Sequence, residues 1–311
     1  MADKHSLIEP ALAVEREPLL ARLRHRHGDT IEGYLFLSPF LVIYAVFLVY
    51  PMFRGFYISL HDWELVGFFR EWAGVANYVR MFGDANFWSA LWNTVYFVLL
   101  TVPITTIVAL ALALVLNKPY RTHAVFRAIF FSSSIVSVTV VTLIWQMVLS
   151  PDRGILAQAL GVFGIPPINW LTDPTLAMPA LAITSVWWGL GLPMMLFIAG
   201  LQQIPGDIYE AAKLDNAGRW VVLRRITLPA LKRTTILVVI VEIILHFQMF
   251  GQAFLMTKGG PAGSTRSLVQ YIYESGFRDW QLGYASSMAM ILFVIMCMAS
   301  LMQLRVSRQE D

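Results

Sequence analysis

Long apolar runs separated by short polar segments dominate this chain. Six of them are long enough for a helix that crosses a bilayer, which takes roughly 20 residues. They cover residues 34–53, 92–116, 124–149, 176–201, 234–256 and 285–304. Hydrocarbon offers the backbone no hydrogen-bond partner, so each run is expected to be helical. The period-two alternation of an outer-membrane barrel is missing. The pattern predicts an all-α integral membrane fold with six transmembrane helices. It predicts a membrane domain over 34–305, preceded by an N-terminal segment, 1–33, and followed by a short tail, 306–311.

Composition sharpens this picture. Of 311 residues, 57% are hydrophobic and 14% charged, against about 25% charged in an ordinary soluble domain. That excludes a disordered chain and argues against a soluble enzyme. A lone cysteine, Cys297, leaves no disulfide framework. The net charge of +3 is too small to suggest nucleic acid, but its placement is informative. With the N-terminus inside, 16 of the 23 lysines and arginines fall on the inner side and 7 on the outer. That bias predicts cytoplasmic N- and C-termini. The polar segment before the first run is too long, and the run itself too extended, for a cleavable signal peptide. Its Arg22, Arg24, His25, Arg26 and His27 suit a topological anchor or an amphipathic helix on the inner surface. Aromatic and proline-rich outer segments, with Trp63, Trp72, Trp88 and Trp170, suit either interface anchors or a docking surface.

Segment 204–229, expected inside the cell between the fourth and fifth helices, is the most informative stretch. Pro205 and Gly206 stop the preceding helix. Asp207 is expected as an N-cap, and Glu210 three residues later completes a capping-box pair. Residues 208–214 then suit a short helix, with Tyr209 on it and Ala211 and Ala212 as strong formers. Asn216 and Gly218 allow a left-handed turn. A second short helix follows from Arg219 to Ile226, and Pro229 marks the start of the next membrane segment. A short helix with a small-residue face suits insertion into a partner's groove; it also suits an ordinary connector.

The stretch resembles the EAA loop of permease subunits in binding-protein-dependent ABC importers. Glu210, Ala211, Ala212, Asp215, Ala217, Ile226, Leu228 and Pro229 follow that pattern, and Asn216 stands where glycine is usual. Lys258-Gly-Gly-Pro261, Ser264-Thr265, Tyr271-Ile-Tyr273, Phe277 and Gly283-Tyr-Ala285 are similar to the region before the last helix of the sugar-type permeases. Ser38-Pro39-Phe40 and Tyr50-Pro51 resemble their first helix. The resemblance covers roughly residues 30–305 and implies a type I ABC importer permease architecture in a bacterial or archaeal cytoplasmic membrane. It further implies a second permease subunit in a heterodimer, two ATPase subunits inside and an extracytoplasmic solute-binding protein outside. ATP and Mg would be held by the ATPase subunits; this chain has no Walker A pattern and is expected to bind no cofactor. Asp207, Tyr209, Glu210, Ala211, Ala212, Asp215, Asn216 and Gly218 would form the ATPase-coupling element.

A substrate path is expected from ionisable residues inside the membrane, which are costly and face cavities or bundle interiors. The fifth helix carries Glu242 and His246 at i and i+4, hence on one face, which Met249 extends. The fourth offers Trp187, Trp188, Gly191 and Met194. In permeases resembling this one, the central site lies between the helices that flank the EAA loop. Aromatic faces suit sugar CH surfaces, and polar tips suit hydroxyls. Alternatively, Glu242 and His246 bond only each other or the partner permease.

The six histidines show no metal-binding spacing, and a nucleophile elbow is absent, so no enzymatic activity is expected. The substrate expected from the resemblance is a sugar or oligosaccharide. Glycerol phosphate or another polyol is the alternative. An ATP-independent secondary transporter is a remote one.

Overall fold

The computed structural model describes residues 33–66 and 70–308. The basic segment before residue 33 and the last three residues of the tail lie outside the described residues. The chain divides into two units, Met1–Gly55 and Phe56–Asp311. The described part of the first is the N-terminal portion of α1 (Gly33–Ser59), which includes a π-helical turn at Ala45–Val49.

In the second unit, a two-stranded antiparallel hairpin follows α1. It pairs β1 (His61–Trp63) with β2 (Arg70–Trp72). This short hairpin lies between the first two expected spans, and the described residues are otherwise mostly helical, as expected. Aromatic residues suit a pleated, half-buried surface, and the Arg70 guanidinium stacks 4.3 Å from the Trp63 ring centre. A short helix, α2 (Ala76–Phe82), leads to α3 (Ala85–Leu116). At 32 residues, α3 is the longest helix among the described residues and is capped by the Asp84 carboxylate, which accepts from the Asn86 amide at 2.9 Å.

The middle of the chain departs from the predicted spans. The expected third span is two helices, α4 (Arg121–Ser133) and α5 (Val138–Val148), bent by 98°. The break needs no proline. Instead, the Ser133 hydroxyl donates to the Phe130 carbonyl, and the Ser134 hydroxyl donates across to Trp188. The Trp188 indole N–H donates to the freed Val136 carbonyl at 2.9 Å. After α6 (Ile155–Gly161), the expected fourth span is also a bent pair. It comprises α7 (Ala177–Gly189) and α8 (Gly191–Gln202), at 49°. The expected fifth span is shorter than predicted. Beyond α9 (Gly206–Leu214) and α10 (Arg219–Val222), α11 (Lys232–Phe247) ends after 16 residues, and a π turn at Ala253–Thr257 follows. Then come α12 (Leu268–Tyr273) and α13 (Leu282–Arg308). Among the described residues, three single helices and two bent pairs are thus long and apolar enough to cross a membrane.

The core lies around α3, against which α7, α8 and α11 pack. Ala109 and Ala113 bring α3 close to Met194, Phe197, Leu231 and Val238. Gly200 touches α11 so closely that a Cβ there would sit 2.5 Å from the Thr234 hydroxyl. At the other end, Gly283 of α13 presses on the hairpin. A Cβ on it would fall 2.1 Å from the His61 carbonyl oxygen and 3.0 Å from the Trp63 amide nitrogen. Backbone cannot yield as a side-chain tip can. Gly283→Ala should therefore destabilise the protein by about 1–3 kcal/mol or more. Thermal unfolding in detergent measures this, and an unchanged midpoint would contradict the close packing.

Candidate functional site

A cavity of about 520 Å³ opens where three helical elements break. Irregular backbone at membrane depth is tolerated where it lines a cavity, and these breaks do so. Phe97 reaches the cavity from α3, Ser134 from the first break, Ser185 and Trp188 from α7, and Leu192 from α8. Glu242, His246 and Met249 line it from α11 and the segment that follows, where Gln248, Phe250 and Gln252 also face it.

Of the expected path residues, Glu242, His246 and Met249 come together here. The other three do not line the cavity. Trp187 is absent from the cavity wall, and its ring packs edge-on to Trp145 at 5.9 Å. Gly191 is a packing glycine: a Cβ there would meet the Phe131 α-carbon and the Ser134 hydroxyl, each at 2.7 Å. Met194 is fully buried in the core beside α3. The cavity face of this pair is set by Ser185, Trp188 and Leu192, about 100° around the helix from the expected one.

The polar groups are held specifically. The His246 Nδ1 lies 2.8 Å from the Glu242 carbonyl oxygen. A carbonyl only accepts, so Nδ1 carries the hydrogen and Nε2 is left without a protein partner among the described residues. Glu242 is buried, and its Oε2 has no hydrogen bond among the described residues. His246 Nδ1 is 3.5 Å from that oxygen but is already committed to the carbonyl. Gln252 donates to the Ser185 hydroxyl at 3.3 Å. The lining contains no lysine or arginine.

The predicted coupling loop has a defined geometry. Pro205, not Asp207, precedes the first turn of α9, and no side chain caps it. Asp207 sits in the first turn, where its charge still favours the positive end of the helix dipole. The capping-box pairing with Glu210 is therefore corrected. Asn216 adopts the left-handed conformation at φ 52°. Gly218 does not: it is extended and precedes α10, which passes into a π turn at Leu223–Thr227. On α9 only Tyr209 and Ala212 turn toward the body of the protein. The Tyr209 hydroxyl pairs with that of Thr227 at 3.1 Å. Asp207, Glu210, Ala211 and Lys213 are exposed, as is Asp215 beyond the helix.

Sequence reasoning missed a polar knot at the start of α3. The hydroxyls of Tyr271 and Tyr284 both donate to Asp84, tying the start of α3 to α12 and α13. The Arg80 guanidinium lies 4.3 Å from the Tyr284 ring centre and donates to Gln281 at 2.8 Å. Partial burial pushes the Asp84 carboxyl up. The hydrogen bonds from Tyr271, Tyr284 and Asn86 together outweigh it and hold the group below the ordinary aspartate value. A depressed folded pKa gives stability that is present above the unfolded value of about 3.9. It is lost as pH falls through the folded one. Thermal unfolding of wild type and Asp84→Asn should therefore differ at pH 6 and converge as pH falls below about 4. A gap independent of pH would contradict the role given to these bonds.

The family described as binding-protein-dependent transport system inner membrane component matches residues 85–309. The chain belongs to that family. The permease is similar to the lactose transport system permease protein of Rhizobium radiobacter. The two are 34% identical over 286 residues, or 90% of this chain and 95% of that protein. It is 32% identical to the trehalose/maltose transport system permease protein of Thermococcus litoralis over 292 residues, covering 93% and 97%. A solved bacterial alginate ABC transporter, in complex with an alginate pentasaccharide-bound periplasmic protein, shares its fold. The TM-score is 0.80 at 22% identity, over 93% of this chain and 98% of that one. The permease is accordingly a multi-pass membrane protein of the transport type.

Proposed function

We propose that this permease is one membrane subunit of an ATP-driven importer for a sugar or oligosaccharide. An extracytoplasmic binding protein delivers the saccharide, and two ATPase subunits inside the cell bind ATP and Mg. A second, non-identical permease completes the pathway in the cytoplasmic membrane. The observation that carries the substrate reading is the cavity lining. It offers an aromatic face on Trp188 and hydrogen-bonding groups on Glu242, His246, Gln248 and Gln252, without a lysine or arginine to balance an anion. That chemistry suits an uncharged polyhydroxyl ligand. It disfavours glycerol phosphate, whose anion would be buried without a counter-charge. The names of the relatives, which include lactose and trehalose/maltose permeases, agree with it.

In this reading each bent pair makes one crossing, and α11 with its following π turn makes another. The total is six, with both termini cytoplasmic as the charge bias requires. The exposed face of α9 is then the coupling helix, seated in an ATPase cleft. Closure of the ATPase pair turns the permeases from inward-open to outward-open by rigid-body motion. Tyr209 fixes the tilt of α9 through its bond to Thr227. Tyr209→Phe should lower uptake by about twofold to tenfold, the scale of one hydrogen bond, with the ATPase still bound. Uptake and subunit stoichiometry of the purified complex check this, and unchanged uptake would remove the bond from the coupling path.

The assembly is tested by tagging the C-terminus, solubilising native membranes gently and identifying co-purifying proteins by mass spectrometry. Recovery of an ATPase and a second permease is expected. A chain that emerges alone and still carries solute in liposomes would make it a secondary transporter.

A further inference from the structure

The three helix interruptions around the cavity interlock at one junction. The break between α4 and α5 sends hydroxyls to the end of α7. Ser134 donates to the Trp188 carbonyl at 3.1 Å, and Ser133 donates to the Trp187 carbonyl at 3.3 Å. In return, the Trp188 indole N–H donates to the Val136 carbonyl at 2.9 Å. The backbones also meet closely. A Cβ on Gly191 would lie 2.9 Å from the Phe130 carbonyl oxygen, and one on Gly251 would lie 2.6 Å from a Val138 methyl. The break is therefore held both by the α7–α8 pair and by the segment after α11. Farther along α5, the Gln146 amide donates to the Leu255 carbonyl at 2.8 Å, which joins α5 to that segment a second time.

Trp188 belongs to this junction and to the cavity wall at once. Its neighbour Trp187 packs on Trp145, whereas no aromatic ring stacks on Trp188 among the described residues. An indole is rigid and planar, so its N–H and its faces are fixed together. A ligand stacked on the face holds the ring in the orientation that makes the Val136 bond. Two events that need one ring orientation strengthen each other by the same factor. Resting on the sugar-importer reading, we infer that Trp188 is a positioning residue that ties saccharide in the cavity to the geometry of the α4–α5 break. It acts through the Val136 carbonyl, which is costly to leave unpaired at membrane depth. Phenylalanine would supply an aromatic face without the N–H, so the two roles are separable.

The complete transporter in lipid nanodiscs, trapped with vanadate, provides the test. Its binding protein is either empty or loaded with the saccharide carried fastest from a panel of glucose-, galactose- and mannose-based mono- to tetrasaccharides. In a Cys297→Ala background, Val125→Cys and Leu143→Cys place spin labels on α4 and α5, at exposed positions outside the cavity wall. Saccharide should shift the label-to-label distance distribution toward that of the 98° bend. Identical distributions with and without saccharide would overturn the inference, and this arm needs no change at Trp188. Trp188→Phe should lower the ratio of bent to opened break about tenfold, the scale of one hydrogen bond to a buried carbonyl. Saccharide should no longer restore it, and sugar carried per ATP should fall with it. A Trp188→Phe transporter that responds to saccharide as the unsubstituted one does would leave Trp188 as cavity wall only and overturn its positioning role, with the importer intact. Failure of the unsubstituted transporter to carry any saccharide of the panel would overturn the importer reading and the inference with it.

Discussion

Glu210→Lys should abolish uptake while leaving the transporter assembled in the membrane. The side chain lies on the exposed face of α9, and the two residues that anchor this helix, Tyr209 and Ala212, point the other way. The substitution therefore removes no internal contact, and lysine is a good helix former. Its effect falls on whatever the exposed face meets. In the proposed complex that is an ATPase cleft complementary to a carboxylate, where a reversed charge costs several kcal/mol. Uptake should fall by about 100-fold or more, since 1.4 kcal/mol is already a factor of ten. The ATPase is also held through the partner permease, so it should still co-purify and hydrolyse ATP at its basal rate. Uptake within twofold of wild type would refute the coupling role of this loop.

Glu242→Gln and His246→Ala should cut uptake at limiting sugar by about 10- to 100-fold, the scale of a hydrogen bond to an ionisable group. The binding protein's own affinity should be untouched. Glu242 Oε2 is buried in the cavity wall without a hydrogen bond among the described residues, and His246 leaves Nε2 unengaged. A buried carboxylate oxygen without a partner is expensive unless a ligand satisfies it. Glu242→Gln conserves size, so its loss of uptake reports on hydrogen bonding and not on packing. The preference between saccharides should also change in one or both variants, which a packing role would not produce. Unchanged dependence on sugar concentration and identity would leave these residues with a structural role only.

Much of the molecule is legible in its sequence. The apolar runs mark the helices, the spacing of Glu242, His246 and Met249 puts them on one cavity face, and Asn216 forms the left-handed turn after α9. The breaks are harder to see. The break at 134–137 lies in a stretch without proline and depends on bonds such as Trp188 to Val136 between distant segments, whereas the bend at Leu190 has a local cause in Gly189, Gly191 and Pro193. The phase of the α7–α8 pair is also hidden. Apolar residues surround these helices, so periodicity cannot select the face of Trp188 over that of Trp187. Asp207 fits a capping box in sequence, but the chain turns one step earlier, at Pro205. The Asp84 knot joins residues about two hundred positions apart and has no local signature.

The most direct measurement is saccharide uptake into proteoliposomes holding the purified complex, with ATP, binding protein and ATPase subunits each withheld in turn. Uptake that requires all three is the predicted result. Uptake by this chain that proceeds without ATP or without the binding protein would contradict the account.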